Sequence, residues 1–400
     1  LQTDELSAIS AWRRIVEHYP DEPELRFLYA QALDTLHRPD MSCRQWAIGL
    51  EKLLDQPDIE RAFTPVGMQR NEVFVYSANK IIRNILYFKR KIQDTRHPAG
   101  AADELKKEHK TMAYLREQLG DRIAQSLGVF TCKHTEYLLV KTAGAHTLDS
   151  LLDTMPARKR KRTLVQAAEL LADIHLTGSA GLRDDGPMHD VIAAHDPSYY
   201  LRRSGTACIS ALKHDQRVIL APQTLPRIMT ALTDLTCSLG EVPRHFYKDH
   251  SPQNIIMSDL DELVCIDFEA RREHACMLDM ITLLEFGRAY VDMEDKETII
   301  QAYFAERKKY TANQPDQCDT MRWYHLCGIQ RHLEILGYRV RASQHTTPQP
   351  AHSPITVINY HLDQARTHAE VFARSYSTES EERSARQLSH ALSEIKILVD

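Results

Sequence analysis

Asp249, Asn254 and Asp267 are the residues of this 400-residue chain whose types and intervals point most directly to chemistry. They stand in Tyr247-Lys248-Asp249-His250-Ser251-Pro252-Gln253-Asn254 and Cys265-Ile266-Asp267-Phe268-Glu269, five and then thirteen residues apart. Transfer of a phosphoryl group to a hydroxyl needs such a set. One carboxylate must orient the attacking hydroxyl and take its proton, while an amide oxygen and a second carboxylate hold magnesium against the phosphates, because oxygen ligands suit that ion. Taken singly, each acid reads as a surface or capping residue, and the combined spacing carries the signal.

Those residues need elements to hold them. Residues 254–257 and 263–266 are short apolar runs on either side of turn residues 259–262, a strand-like pair with Asp267 at its end. Upstream, residues 63–67, 72–77 and 85–90 are rich in Val, Ile, Phe and Tyr, as strands prefer, with Asn79 a turn residue between the last two. Leu105, Met112, Leu115 and Leu119 form the apolar side of a helix over 101–119. Residues 137–140 read as another strand, leading into a connector over 141–145. From Leu151 the pattern is mostly helical, with an amphipathic stretch over 164–176, a glycine- and proline-bearing segment over 178–224, and a polar loop near 344–354.

The segments around Asp249 and Asp267 resemble the catalytic and metal-binding loops of the aminoglycoside phosphotransferase and choline kinase family, within the protein-kinase-like fold. The resemblance covers about residues 60–340. It implies that Asp249 is the catalytic base, that Asn254 and Asp267 bind magnesium, that ATP is the donor, and that Asp279 in Met277-Leu278-Asp279-Met280 braces the catalytic loop. It further implies that Lys89 in the third strand-like run contacts the nucleotide phosphates, with Lys91 the rival on the same face two residues on. Glu108 is the helix acid that would pair with that lysine, and Glu104 the alternative one turn earlier. Gly67-Met68-Gln69-Arg70-Asn71 resembles the Gly-to-Asn turn that covers the phosphates in small-molecule kinases, with Gly67 and Asn71 at its ends; an ordinary hairpin turn has the same look. Lys141 and Ala143 fall where the family presents backbone groups to adenine. Two departures stand out: Tyr247-Lys248 replaces the usual His-Gly pair, and no Gly-x-Gly-x-x-Gly occurs.

The expected fold is therefore α+β, a protein-kinase-like two-lobe fold behind an α-helical extension. Residues 1–60 form the extension, 61–143 a small sheet-containing N-lobe, and 144–400 a mainly helical C-lobe with the catalytic loop. Within the extension, Trp12 and Trp46 are 34 residues apart, and the same offset pairs Glu17 with Glu51 and Pro23 with Pro57. That period matches the tetratricopeptide helix-turn-helix unit, a platform for a protein partner, although a plain helical extension gives the same pattern.

Composition narrows the setting. Hydrophobic content of 43% and charged content of 26% are those of an ordinary globular protein. A net charge of −5 gives no general pull toward nucleic acid, and the basic run over 158–162 reads as a solvated helix face. Eight scattered cysteines without a Cys-x-x-Cys pair fit reduced thiols in a cytoplasm, and the histidines show no zinc-motif spacing. No stretch approaches the roughly 18 apolar residues of a membrane span.

His250, Glu269 and Arg271, with Arg272 beside it, are the residues expected to line the acceptor pocket. Gly328-Ile329-Gln330-Arg331-His332-Leu333-Glu334-Ile335-Leu336-Gly337 resembles a helix of the amino-sugar kinases, which points to a sugar or amino-sugar acceptor. An antibiotic-modifying aminoglycoside phosphotransferase is the alternative, and Lys248, Arg271 and Arg272 near the site speak against a polycationic acceptor. A non-catalytic kinase-like binding protein is a further alternative. Only twelve residues separate Asp267 from Asp279, too few for an activation segment, which argues for a small acceptor rather than a protein.

Overall fold

Proline marks the first turn of two of the three opening helices, where its fixed φ and missing N–H cost nothing: α1 (Gln2–His18), α2 (Pro23–Thr35) and α3 (Pro39–Leu54). The structure is a computed structural model. It describes residues 2–36, 38–54, 63–68, 71–76, 86–91, 101–132, 135–141, 143–183, 188, 205–258, 260–269, 272–287, 291–309, 317–343 and 354–397. The chain divides into two compact units, one of Leu1–His146 with Ile256–Glu269, the other of Thr147–Ile255 with Ala270–Asp400.

In the first unit, Ile9, Val16, Tyr29 and Leu33 form a small core between α1 and α2. Trp12 stacks on Tyr29 with ring centroids 6.1 Å apart, and Trp46 of α3 stacks on Phe27 at 5.3 Å. The two tryptophans of the 34-residue echo thus meet α2 from α1 and from α3. Five strands follow: β1 (Phe63–Met68), β2 (Asn71–Tyr76), β3 (Leu86–Lys91), β4 (Ser126–Cys132) and β5 (Thr135–Lys141). They pair antiparallel in the order β1-β2-β3-β5-β4. Helix α4 (Ala101–Leu119) joins β3 to β4 and buries Leu105, Met112 and Leu115 against the sheet. The expected strands over 63–67, 72–77, 85–90 and 137–140 are present with slightly shifted ends, and the helix over 101–119 has its expected bounds. β4 was not foreseen, because Gly128 (φ 144°) and the bulge between Ser126 and Gly128 interrupt the alternation that marks a strand. The Asn79 turn lies outside the described residues.

Two short strands, Ile255–Met257 and Leu263–Cys265, are neighbours in a further sheet. Ala124 N donates to Cys265 O at 2.9 Å, which ties the second of them to the chain between α4 and β4. Asp267 follows two residues on, so its backbone is carried by the same unit as β3 and α4.

The second unit is mostly helical: α5 (Leu148–Leu152), α6 (Ala157–Gly181), α7 (Ala207–His214), α8 (Thr224–Gly240), α9 (Met277–Glu285), α10 (Met293–Lys308), α11 (Gln317–Ser343), α12 (Pro354–Ser375) and α13 (Glu379–Ser393). Caps start several of them. Asp292 accepts from Asp295 N at 2.8 Å at α10, and Thr378 with Glu381 makes a capping box at α13. Helix α9 is buried along its whole length. An antiparallel pair, Arg244–Tyr247 with Arg272–Ala275, delivers the chain to Asp249, and Phe246 N donates to Ser179 Oγ of α6 at 3.0 Å. Among the described residues no helix is long and apolar enough to cross a membrane, and the six cysteines with described side chains are free thiols.

Candidate active site

Lys89 is a buried cation held by carboxylates of its own unit. Its Nζ donates to both oxygens of Glu108 at 3.0 Å and to Asp267 Oδ1 at 2.8 Å, and lies 3.7 Å from Glu269 Oε2. Position 89 on β3 pairs with Val73 of β2 and Leu138 of β5, so the lysine projects from the middle of the sheet. Burial works against its charge, but Asp267, Glu108 and Glu269 outweigh that and hold its pKa above the ordinary lysine value. Burial raises the Glu108 carboxyl, against the pull of Lys89. Glu108 Oε1 also accepts from Phe268 N at 3.1 Å, so the same carboxylate fixes both the lysine and the backbone beside Asp267. Lys89 and Glu108 thus form a buried pair, while the side chain of Lys91 lies outside the described residues.

Asp267 has φ 60°, a left-handed conformation that costs a non-glycine residue about 1–2 kcal/mol. Its side chain is one-third exposed although it touches a buried lysine. Oxygen donors beside a fixed cation are of the kind that suits a magnesium–triphosphate: Asp267 and Glu269 would offer carboxylate oxygens, and Lys89 a charge for phosphate.

Asp249 lies in the other unit and shares the left-handed conformation, with φ 66°. Asp279, at the start of α9, explains how that backbone is held. Its Oδ1 accepts from His250 N at 2.5 Å and its Oδ2 from Lys248 N at 3.2 Å, so one carboxylate holds the amides on both sides of Asp249. Asp279 Oδ2 also accepts from His175 Nε2 at 3.0 Å, and Tyr303 OH lies 2.7 Å from His175 Nδ1. Burial alone would raise the Asp279 carboxyl, but the hydrogen bonds from the His175 ring and from His250 N hold it below the usual value. Asn254, at the end of a tight turn over Pro252–Asn254, donates from Nδ2 to Asp249 O at 2.9 Å. That engages its amide nitrogen and leaves the amide oxygen as the atom suited to a hard cation.

The Asp249 carboxylate has two partners that sequence reasoning did not assign. Arg331 Nη2 on α11 donates to Oδ1 at 2.7 Å, and Tyr247 OH donates to the same oxygen at 3.3 Å. Arg331 is buried, bonds Glu334 through Nη1 at 3.2 Å, and lies 5.9 Å from the Tyr247 ring centroid. Burial opposes its charge, but Tyr247, Asp249 and Glu334 outweigh it, so it stays protonated. Arg272, opposite Tyr247 in the strand pair, has its guanidinium 5.2 Å from the same ring. The signal for Arg331 in the sequence is the Gly328–Gly337 motif that contains it.

Other expected positions fare differently. His250 does not face an acceptor: it is fully buried, with Nε2 donating to Ala167 O at 3.0 Å, because the loop needs a neutral donor inside the core. Lys248, read as a basic group near the acceptor, is also fully buried. Glu269 sits in the Lys89 cluster. Arg271 lies outside the described residues, as does the middle of the Gly67–Asn71 turn. Gly67 itself pairs with Val73 next to a bulge, and Asn71 pairs with Lys91. Lys141 ends β5, its N–H donating to Gln125 O at 2.8 Å, and Ala143 is half-buried.

Comparison with known proteins gives a consistent picture. Residues 90–312 match the family model described as the phosphotransferase enzyme family. No curated protein matches the chain. Among solved structures, a choline/ethanolamine kinase family protein from Mesorhizobium loti is similar at a TM-score of 0.53 and 12% identity, over 85% of this chain and 98% of that one. The gentamicin-APH(2")-IIa complex is similar at 0.52 and 14%, over 78% and 93%. A Plasmodium vivax ethanolamine kinase is similar at 0.51 and 12%, over 84% and 91%. At these identities the likeness is one of fold: a small sheet-bearing N-lobe and a helical C-lobe, here behind N-terminal helices.

Proposed function

Since this chain belongs to the phosphotransferase enzyme family, and so is a small-molecule kinase that uses ATP with magnesium, we propose that its acceptor is a hydroxyl of a neutral or acidic sugar or amino sugar, with Asp249 as the base. The observation that carries this reading is the Arg331–Asp249 ion pair at 2.7 Å. A base that must take a proton from an uncharged hydroxyl can sit beside a guanidinium. A site built to attract a quaternary ammonium or a polycationic antibiotic needs uncompensated negative charge, and here the Asp249 charge is already answered by Arg331, with Arg272 close by on the Tyr247 ring. The likeness of the Arg331 helix to amino-sugar kinases points the same way.

The residues divide the work. Bound magnesium-ATP supplies the phosphoryl group and neutralises charge on its oxygens. Lys89, fixed by Glu108, is the residue proposed to hold phosphate oxygens, and Asp267 and the Asn254 amide oxygen are those proposed to hold the ion. Asp249, its backbone fixed by Asp279 and its carboxylate by Arg331 and Tyr247, orients the acceptor hydroxyl and takes its proton as the oxygen attacks phosphorus. Positioning and fixed charge supply most of the rate in such a reaction. A cytoplasmic setting goes with this proposal.

Magnesium-dependent ADP release across neutral sugars, acidic and amino sugars, aminoglycosides and choline-like alcohols tests the reading, with Asp249→Ala alongside. Release with a sugar and its loss in the variant is the expected result. Release only with gentamicin-like or ammonium acceptors would overturn the acceptor class, and unchanged release in Asp249→Ala would overturn the base.

A further inference from the structure

Away from Asp249, the second unit buries a carboxylate among imidazoles that the reaction does not use. We propose that Glu285, His332 and His368 form a binding site for a first-row divalent cation of the zinc class, which pins α11 against α9 and α12. Glu285 ends α9, His332 lies in α11 and His368 in α12, and one ligand atom from each lies within 4.8 Å of the other two. Glu285 Oε2 is 2.9 Å from His332 Nε2 and 3.1 Å from His368 Nε2, and all three side chains are buried. Two imidazoles and one carboxylate suit zinc, cobalt or nickel, whereas magnesium and calcium prefer oxygen alone.

The surroundings favour a cation more specifically. A ligating imidazole needs an acceptor for the proton on its other nitrogen. His332 Nδ1 lies 3.0 Å from His361 Nδ1, and His368 Nδ1 lies 2.9 Å from His325 Nδ1, so both ligands have one. Without a cation, both Nε2–H groups donate to Glu285, and the outer histidines donate from Nδ1 inward. With a cation, each inner ring carries its proton on Nδ1 and donates it outward, and each outer ring carries its own on Nε2, which for His325 is a buried atom without a partner and opposes loading. All four rings change tautomer and no proton is gained or lost by them. Gly328, one turn before His332, leaves room for the His368 ring: a Cβ there would come within 2.5 Å of it.

Lys296 is the competitor. Its Nζ donates to Glu285 Oε1 at 2.7 Å, and Tyr324 OH bonds the same oxygen, so the carboxylate is satisfied without an ion. The ammonium opposes a second cation, and removing it should tighten binding. The site also reaches toward Asp249: Phe286, next to Glu285, stacks on His332 at 5.2 Å, and the Arg331 guanidinium lies 5.4 Å from the Phe286 ring.

Cobalt(II) titration of the full chain without nucleotide, read by its visible absorption, tests the proposal independently of any kinase activity. One equivalent should bind with the spectrum of a low-coordinate nitrogen–oxygen site. His368→Gln should weaken binding at least tenfold, and Lys296→Met should strengthen it at least tenfold. No cobalt spectrum in the wild type would overturn the proposal, as would undiminished binding in His368→Gln. If that variant does not fold, nitrogen-15 histidine spectra of the wild type with and without zinc decide: two rings should exchange an Nε2 proton for an Nδ1 proton, and unchanged tautomers would overturn it.

Discussion

The Arg331 guanidinium reaches across from α11 to within 2.7 Å of Asp249 Oδ1, while its other nitrogen holds Glu334 of the same helix. The arginine is thus anchored at both ends of its fork, and it can fix the carboxylate rather than merely neutralise it. A lysine in its place would keep the charge and lose the fork.

The first prediction concerns that fork. A hydrogen bond to a charged partner contributes about 1.5–3 kcal/mol, which is roughly a 10- to 150-fold change in rate if felt only in the transition state. Arg331→Lys should lower kcat by about that factor while leaving the KM for ATP within about twofold. Steady-state kinetics with the best acceptor check this. Wild-type kcat in Arg331→Lys would mean that the ion pair does not position the base.

Glu108 offers the second. Glu108→Gln keeps shape and can still accept from Phe268 N, but removes one of three negative charges around Lys89. The lysine should then lean toward Asp267 and Glu269, so kcat/KM for ATP should fall by about 10- to 1,000-fold, in the range seen when a fixed charge at a reaction centre is lost. The acceptor KM should stay near its wild-type value. An ATP dependence unchanged by the substitution would show that the pair is structural only.

Much of this was legible in the chain because it is local. The first three strands of the first sheet are short runs rich in Val, Ile, Phe and Tyr, α4 carries a clean apolar stripe, and the Asp249–Asn254–Asp267 intervals lie within nineteen residues. What could not be read was long-range. Arg331 is 82 positions from Asp249, and nothing in a helix that carries arginines at 322, 331, 339 and 341 says which of them reaches Asp249. His250 looked like a substrate residue because it follows Asp249, yet its neighbours in space are Ala167 and Asp279. Gly128 disguised β4 by breaking its alternation.

A third prediction tests the support beneath the catalytic loop. Gly178 of α6 faces Phe246 so closely that a Cβ would come within 2.4 Å of the Phe246 ring. Phe246 is fully buried and leads through Tyr247 and Lys248 to Asp249, so neither side can yield cheaply. Gly178→Ala should destabilise the fold by about 1–3 kcal/mol, the usual range for overpacking a core, and should lower kcat in the surviving folded fraction. Urea denaturation measures the first effect and active-site-normalised kinetics the second. A wild-type midpoint would show that α6 and the strand separate freely.

The last prediction follows from histidines buried without charge. Burial, reinforced by Lys248, pushes His250 down to about 3, and burial with Arg307 pushes His245 down to about 2. Burial also lowers His175, despite its bond to Asp279. In the unfolded chain these rings titrate near 6.5. Between that value and the folded ones the unfolded chain holds more protons, so stability must fall as pH falls below about 6.5, by about 1.4 kcal/mol per pH unit for each such ring. Asp279 acts in a different window: its lowered carboxyl contributes stability above the ordinary carboxylate range and loses it only at lower pH. From pH 6 to pH 5, His250 and His245 alone should therefore cost about 2–3 kcal/mol, so the unfolding free energy in urea should fall by at least that much. His250→Gln, which retains a donor for Ala167 O, should remove about 1.4 kcal/mol per pH unit from that slope. A free energy that stays flat over this interval would show that these rings are charged, or equally protonated, in both states.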